Sequence, residues 1–151
     1  MVVVGVDGSG SSSDAIRWAV DEARLRGTTV RAVYAWQSPL VTGFQYIPPD
    51  LLDPEVLDRH AREIVEAAVA EAGNGSAGDV EIESCAVEGL PAKVLIDASR
   101  DAELLVLGSR GYGGFHGLLL GSVGQQCVHH AVCPVVIVRP APRGESERRS
   151  S

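Results

Sequence analysis

The sequence predicts an α/β domain built on an open, five-stranded parallel sheet in the order 3-2-1-4-5, with helices on both faces. Three observations carry this. Two short runs, Val2–Val6 and residues 104–107, are wholly apolar apart from one glycine, as suits strands buried on both faces in the middle of a parallel sheet. Strand-like and helix-like segments alternate along the chain, five of the first and four of the second. Their connections are mostly short, and right-handed crossovers then leave few topologies open.

Taken in order, the first strand stops at Asp7-Gly8-Ser9-Gly10, and Ser11, Ser12 and Ser13 offer caps for a helix. Ile16, Ala19, Val20 and Ala23 then recur at helical spacing until Gly27 ends the run. Residues 28–35 alternate and are rich in β-formers, which predicts the second strand. A loop over 36–50 follows, marked by Pro39, Pro48 and Pro49, and its Trp36, Phe44 and Tyr46 could either cover a base or simply fold the loop down. Helix 2 runs from Asp53-Pro54 to about Ala72, with Leu57, Ala61, Ile64 and Ala68 on its apolar face, and residues 73–78 form an exposed linker. The third strand, 80–87, alternates for most of its length and therefore belongs at a sheet edge. Helix 3 spans 91–100, helix 4 spans 122–131, and Cys133-Pro134 leads into the last strand, whose apolar residues are Val135–Val138. The two wholly apolar strands lie side by side in this order, and the gap between their carboxyl ends is the point where such sheets bind ligands. A binding domain over residues 1–139 and a disordered tail over 140–151 complete the organisation.

Composition narrows the function. At 151 residues and 45% hydrophobic content the chain can fill one core. Twenty carboxylates against 13 Lys and Arg give a formal charge of −7, which argues against a nucleic-acid binder because such a protein needs a basic face. No apolar run approaches the roughly 18 residues of a membrane span, and no export signal is recognisable. Three cysteines, an odd number in a chain of this size, point to a reducing, cytoplasmic setting.

The chemistry concentrates between the fourth strand and the fourth helix. Gly108, Gly111, Gly113, Gly114, Gly117 and Gly121 fall within 14 residues, directly before a helix whose unpaired N–H groups favour anions. Arg110 adds a forked cationic donor and Ser122 a hydroxyl at the helix start. Residues 104–138 contain no Asp or Glu, although burial of two strands in that window would also exclude charge. A phosphate is the natural guest. No Gly-Lys-Ser/Thr follows the loop and Lys93 is the only lysine, which excludes a P-loop; the first turn lacks the spacing of a dinucleotide-binding fingerprint. Asp7, ending a buried strand at the same crevice, could accept from a ribose or an adenine amino group, or merely bond its own turn. Gly5 either lets a ligand or the glycine loop come close or only relieves packing.

Gly108-x2-Gly111-x9-Gly121-Ser122, with Val2-Val3-Val4-Gly5-Val6-Asp7-Gly8-Ser9 before it and Cys133-Pro134-Val135-Val136-Ile137-Val138 after it, resembles the universal stress protein family over residues 1–139. The loop spacing is similar to that of the family's ATP-binding members. The resemblance implies a Rossmann-like fold in which Asp7 and the backbone of Ala35 hold the adenosine part. It implies that Gly108 and Gly111 run along ribose and phosphates, and that Gly121, Ser122 and Val123 close on the phosphate tail. With the neighbouring Ser109, Arg110, Tyr112 and Gly113, and with Gly5, these form the candidate adenine-nucleotide site, for ATP with Mg2+.

Other constellations carry less. Cys127, His129, His130 and Cys133 fit no standard zinc spacing, and the buried-thiol, surface-histidine reading suffices. His116 sits in the glycine loop, where a solvated histidine explains it; no nucleophile-elbow motif is visible. Three functions stay open: an ATP-binding regulatory or stress-response sensor without catalytic residues; a slow ATPase or phosphotransferase using Ser122 or His116; and a homodimeric interaction module, paired through Val135–Val138, with AMP, cyclic AMP or no ligand.

Overall fold

The computed structural model describes residues 1–40, 46–49, 52–73, 78–110 and 120–140. Five strands, β1 (Val2–Val6), β2 (Val30–Trp36), β3 (Ile82–Glu88), β4 (Leu104–Gly108) and β5 (Val135–Val138), alternate with α1 (Gly10–Arg26), α2 (Pro54–Gly73), α3 (Pro91–Ala98) and α4 (Ser122–His130). All strand pairs are parallel, in the order β3-β2-β1-β4-β5. The apolar strands β1 and β4 are neighbours at the centre, with Val4 opposite Val106, and the alternating β3 lies at an edge.

Strand periodicity divides the core into two halves. Val2, Val4, Val6, Val30, Ala32 and Val106 face α1 and α2, where Ala15, Ile16, Ala19, Val65 and Ala68 meet them. Val3, Val33, Leu105 and Leu107 face the other way, onto Leu95 of α3 and Cys127 of α4. Trp18 packs against the first cluster while partly buried. Small residues on α1 let that helix press close to the sheet, so β1 and α1 form a stiff base for the residues that follow them.

Several boundaries differ from the sequence reading, each for a local reason. Ser9, and not Ser11 to Ser13, caps α1: its side chain accepts from the Ser12 N–H at 3.3 Å, and Ser12 and Ser13 are buried inside the helix. Gly27 ends α1 in the left-handed region (φ 63°), where the Thr28 N–H still reaches Ala23 O at 3.0 Å, so β2 begins at Val30 rather than 28. β3 is likewise displaced to Ile82–Glu88, and its Glu83 pairs across the strands with Arg31 at 2.7 Å. α3 stops at Ala98 and a 3-10 turn, Ser99–Asp101, replaces its expected last turn. Buried Ser99 holds that turn, its hydroxyl donating to Ile96 O at 2.6 Å and accepting from the Val132 N–H at 3.0 Å. α2 and α4 end within a residue of the expected positions. The tail over 141–151 and the linker residues 74–77 lie outside the described residues.

Candidate functional site

The carboxyl ends of β1 and β4 meet at the reversal of strand order, and each runs straight into a polar turn and then a helix. After β1 the chain turns at Gly8, whose φ of 81° is the conformation that favours glycine. Asp7 Oδ1 accepts from the Ser9 N–H at 2.8 Å, so the carboxylate is tied into the turn that starts α1. This is the turn-aspartate arrangement raised above, and it fixes the side chain at the mouth of the crevice. Tyr34, paired with Val6 in the ladder, lies near enough to Asp7 that its phenol is pushed above the ordinary tyrosine range, first by burial and then by that negative charge. Ala35 and Trp36 continue β2 to the same end of the sheet.

Across the crevice, β4 ends at Gly108 and the glycine-rich stretch begins. Its two ends are clasped: the Gly121 N–H donates to Ser109 O at 3.2 Å, and the Ser109 N–H donates to Val138 O at 2.9 Å, which anchors the clasp to β5. Ser109 is buried at the joint. Gly121 is the N-cap of α4 and supplies no side-chain cap, and the first turn contains no acidic residue. Among the described residues no side chain caps the amides at the start of α4, and the helix dipole lies behind them. Ser122 and Val123 stand in that first turn, and Arg110, exposed, stands at the other end of the clasp. Of the candidate residues, Gly5, Asp7, Ala35, Gly108, Ser109, Arg110, Gly121, Ser122 and Val123 are brought to this end of the sheet. Gly111, Tyr112, Gly113 and His116 lie outside the described residues, as does Phe44.

Gly5 belongs to packing. A Cβ there would come within 2.6 Å of Leu107 Cδ2 and 3.1 Å of Leu95 Cδ1, so its bareness admits core leucines. Gly108 serves a different neighbour, because a Cβ would lie 2.4 Å from Ser11 Oγ and 2.8 Å from Ser11 O. Ser11 also accepts from the Arg110 N–H at 3.4 Å. The sequence reading missed this residue and Tyr34: Ser11 looked like one of three interchangeable cap serines, and Tyr34 like one more strand aromatic. The alternation of β2 carried the signal for Tyr34, but nothing local marked Ser11.

Cys127 is fully buried among apolar side chains, which pushes its thiol up to about 11. Among the described residues no three His, Cys, Asp or Glu side chains are grouped to hold a metal ion, and no helix is long and apolar enough to cross a membrane. A cleft of about 560 Å³ lies to the side, lined by Trp36, Glu88 and residues at the start of α2; it is open and mostly lined by exposed charged side chains.

Residues 1–139 match the model of the universal stress protein family. The universal stress protein Rv2623 of Mycobacterium tuberculosis (strain H37Rv) is 35% identical over 140 residues, covering 91% of this chain and 46% of that protein. This chain thus spans about half the length of such curated relatives. Among solved structures, a universal stress protein in complex with cAMP is 28% identical with a TM-score of 0.67, over 93% of this chain and 96% of that one. The universal stress protein of Archaeoglobus fulgidus in complex with dAMP is 25% identical with a TM-score of 0.63, over 90% and 94%.

Proposed function

The chain belongs to the universal stress protein family, and from that premise we propose that it is a regulatory nucleotide sensor that binds ATP in the crevice between β1 and β4. The observation that carries this reading is the clasped junction of the glycine-rich stretch with α4, free of acidic residues and, among the described residues, of any side-chain cap. Amides of this kind suit a chain of phosphate oxygens. The adenosine end falls to Asp7 and the backbone of Ala35, and the phosphates to Gly108, Ser109, Arg110, Gly121, Ser122 and Val123, together with Gly111, Tyr112 and Gly113. The set fits a nucleotide chemically, with a carboxylate acceptor at one end and cationic, hydroxyl and amide donors at the other. Mg2+ arrives with the triphosphate, as it commonly does, held by phosphate oxygens and water. No step of turnover is needed, and the output is a change of partner or state on occupancy.

The complexes of solved relatives with cAMP and dAMP favour a second reading, in which a monophosphate is the preferred guest of the same crevice. Calorimetric titration with ATP, AMP and cAMP ranks the three. ATP bound at least tenfold tighter than AMP supports the sensor of triphosphate; the reverse order selects the second reading. No binding of any of them at millimolar ligand overturns both.

The binding unit is residues 1–139, with 140–151 as a separate tail. Two such units pair through the edges of their β5 strands, whose valines are half-exposed; Val128 on α4 and Val132, shortly before β5 in the chain, are exposed as well. The cytoplasm is the proposed location, where the free thiols of Cys85, Cys127 and Cys133 persist.

A further inference from the structure

Ser11 is the second residue of α1, yet its side chain does nothing for that helix. The helix has its side-chain cap without it, because Ser9 Oγ takes the Ser12 N–H, and Ser12 Oγ donates back to Ser9 O at 2.9 Å. The Ser11 hydroxyl instead crosses 99 residues of sequence to accept from the Arg110 N–H, and Gly108 is bare at the point where the two segments touch. We propose that Ser11 is a positioning residue for phosphate recognition, fixing the direction in which the glycine-rich stretch leaves β4 and thereby the place of Arg110. The inference rests on the nucleotide reading above and deepens it.

Among the described residues, three hydrogen bonds hold the root of that stretch. Ser109 N–H to Val138 O and Gly121 N–H to Ser109 O fix Ser109 from the β5 side. Arg110, one residue further on, is held from the α1 side by Ser11. α1 is a sound anchor for this, since Ala15, Ile16 and Ala19 are fully buried against the sheet. Removing the hydroxyl leaves Arg110 held on one side only. The residues assigned to the nucleoside, Asp7 in the turn after β1 and Ala35 on β2, take no part in the Ser11–Arg110 hydrogen bond. The effect of losing it therefore falls on phosphate binding and not on adenosine binding.

The test compares the whole chain with Ser11→Ala and Ser11→Thr, using ATP, AMP and adenosine as probes and hydrogen exchange at the Arg110 amide. Ser11→Ala is expected to bind ATP about 3- to 10-fold more weakly, the range of one modest hydrogen bond, with adenosine affinity unchanged. Arg110 exchange should accelerate, and Ser11→Thr should keep ATP affinity within about twofold because the hydroxyl is retained. Unchanged ATP affinity and unchanged exchange in Ser11→Ala overturn the assignment. So does equal loss of ATP and adenosine with a lowered unfolding midpoint, which marks a merely structural serine. If the unmodified chain binds no adenine nucleotide, the nucleotide reading falls and takes the phosphate role with it. Binding by the unmodified chain with an indifferent Ser11→Ala removes the Ser11 role alone.

Discussion

Gly108→Ala and Gly5→Ala add the same methyl group to two central strands, and the structure separates their consequences. Neither glycine has a positive φ, so alanine suits the backbone at both sites and the cost is one of contact alone. At Gly5 the new Cβ meets the ends of leucine side chains, Leu107 Cδ2 at 2.6 Å and Leu95 Cδ1 at 3.1 Å. Rotation about side-chain bonds relieves most of this, at about 1 kcal/mol. At Gly108 it meets Ser11 Oγ at 2.4 Å, which can turn away, and Ser11 O at 2.8 Å and C at 2.9 Å, which cannot. An ordinary contact needs roughly half an ångström more, so either the first turn of α1 or the end of β4 must move. Both are held: Ser109 N–H is bonded to Val138 O, and Ile16 is fully buried. Overpacking against such rigid neighbours costs about 3 kcal/mol. Replacing glycine also lowers the entropy of the unfolded chain, which returns about 0.4–1 kcal/mol in each variant. The net expectation is near zero for Gly5→Ala and about 2 kcal/mol of destabilisation for Gly108→Ala. In a domain of this length that is a fall in Tm of about 4–8 °C. Urea unfolding followed by circular dichroism, with slopes checked for equality, measures it. Equal midpoints for the two variants would refute the reasoning, and so would recovery of Gly108→Ala by Ser11→Ala, because the obstructing carbonyl remains in that double variant.

Other outcomes follow from single features. Cys127 has its thiol raised by burial to about 11, so it should resist alkylation at pH 8 in the folded chain and label only on unfolding. Because the folded value lies above the ordinary 9.0, the neutral thiol's contribution is fully present below pH 9. It is lost as pH rises toward 11, at most about 3 kcal/mol, and Cys127→Ala should flatten that alkaline fall in urea midpoints. Ser9→Ala removes the α1 cap and should lower stability by about 1 kcal/mol in the same unfolding assay, whereas Ser13→Ala, which caps nothing, should not show this loss of helix capping. Val136→Asp places a charge on the half-exposed edge strand β5 and should shift sedimentation from dimer to monomer; an unchanged sedimentation coefficient removes the proposed pairing.

The fold was legible because its strongest signals are matters of composition. A strand buried on both faces must be apolar throughout, and Val2–Val6 and Leu104–Gly108 say so without reference to anything distant. The same logic put the alternating third strand at an edge. Boundaries were less legible where a hydrogen bond from elsewhere decides them. The last turn of α3 tightens because Ser99 answers to Val132, 33 residues away, and three consecutive serines cannot announce that a fourth before them is the cap. The glycine-rich stretch announced itself by density, and Asp7 by ending a buried strand at the reversal of strand order.

Ser11 shows where sequence reading runs out and why. A hydroxyl in a helix's first turn carries a strong local expectation, capping, and the expectation is wrong for it because Ser9 already satisfies the turn. Its real partner is set by how closely α1 lies against β4, and that distance follows from Ala15 and Ala19 being small and, with Ile16, fully buried against the sheet. Gly108 is the complementary half of the same fact. It looked like the first of a series of phosphate-cradling glycines, and its missing side chain also makes room for a helix. A glycine at a binding loop can therefore be required by packing as well as by what the loop binds. The distinction is measurable, since a glycine that faces the ligand loses affinity on substitution while folding is untouched, and Gly108 is expected to lose both together.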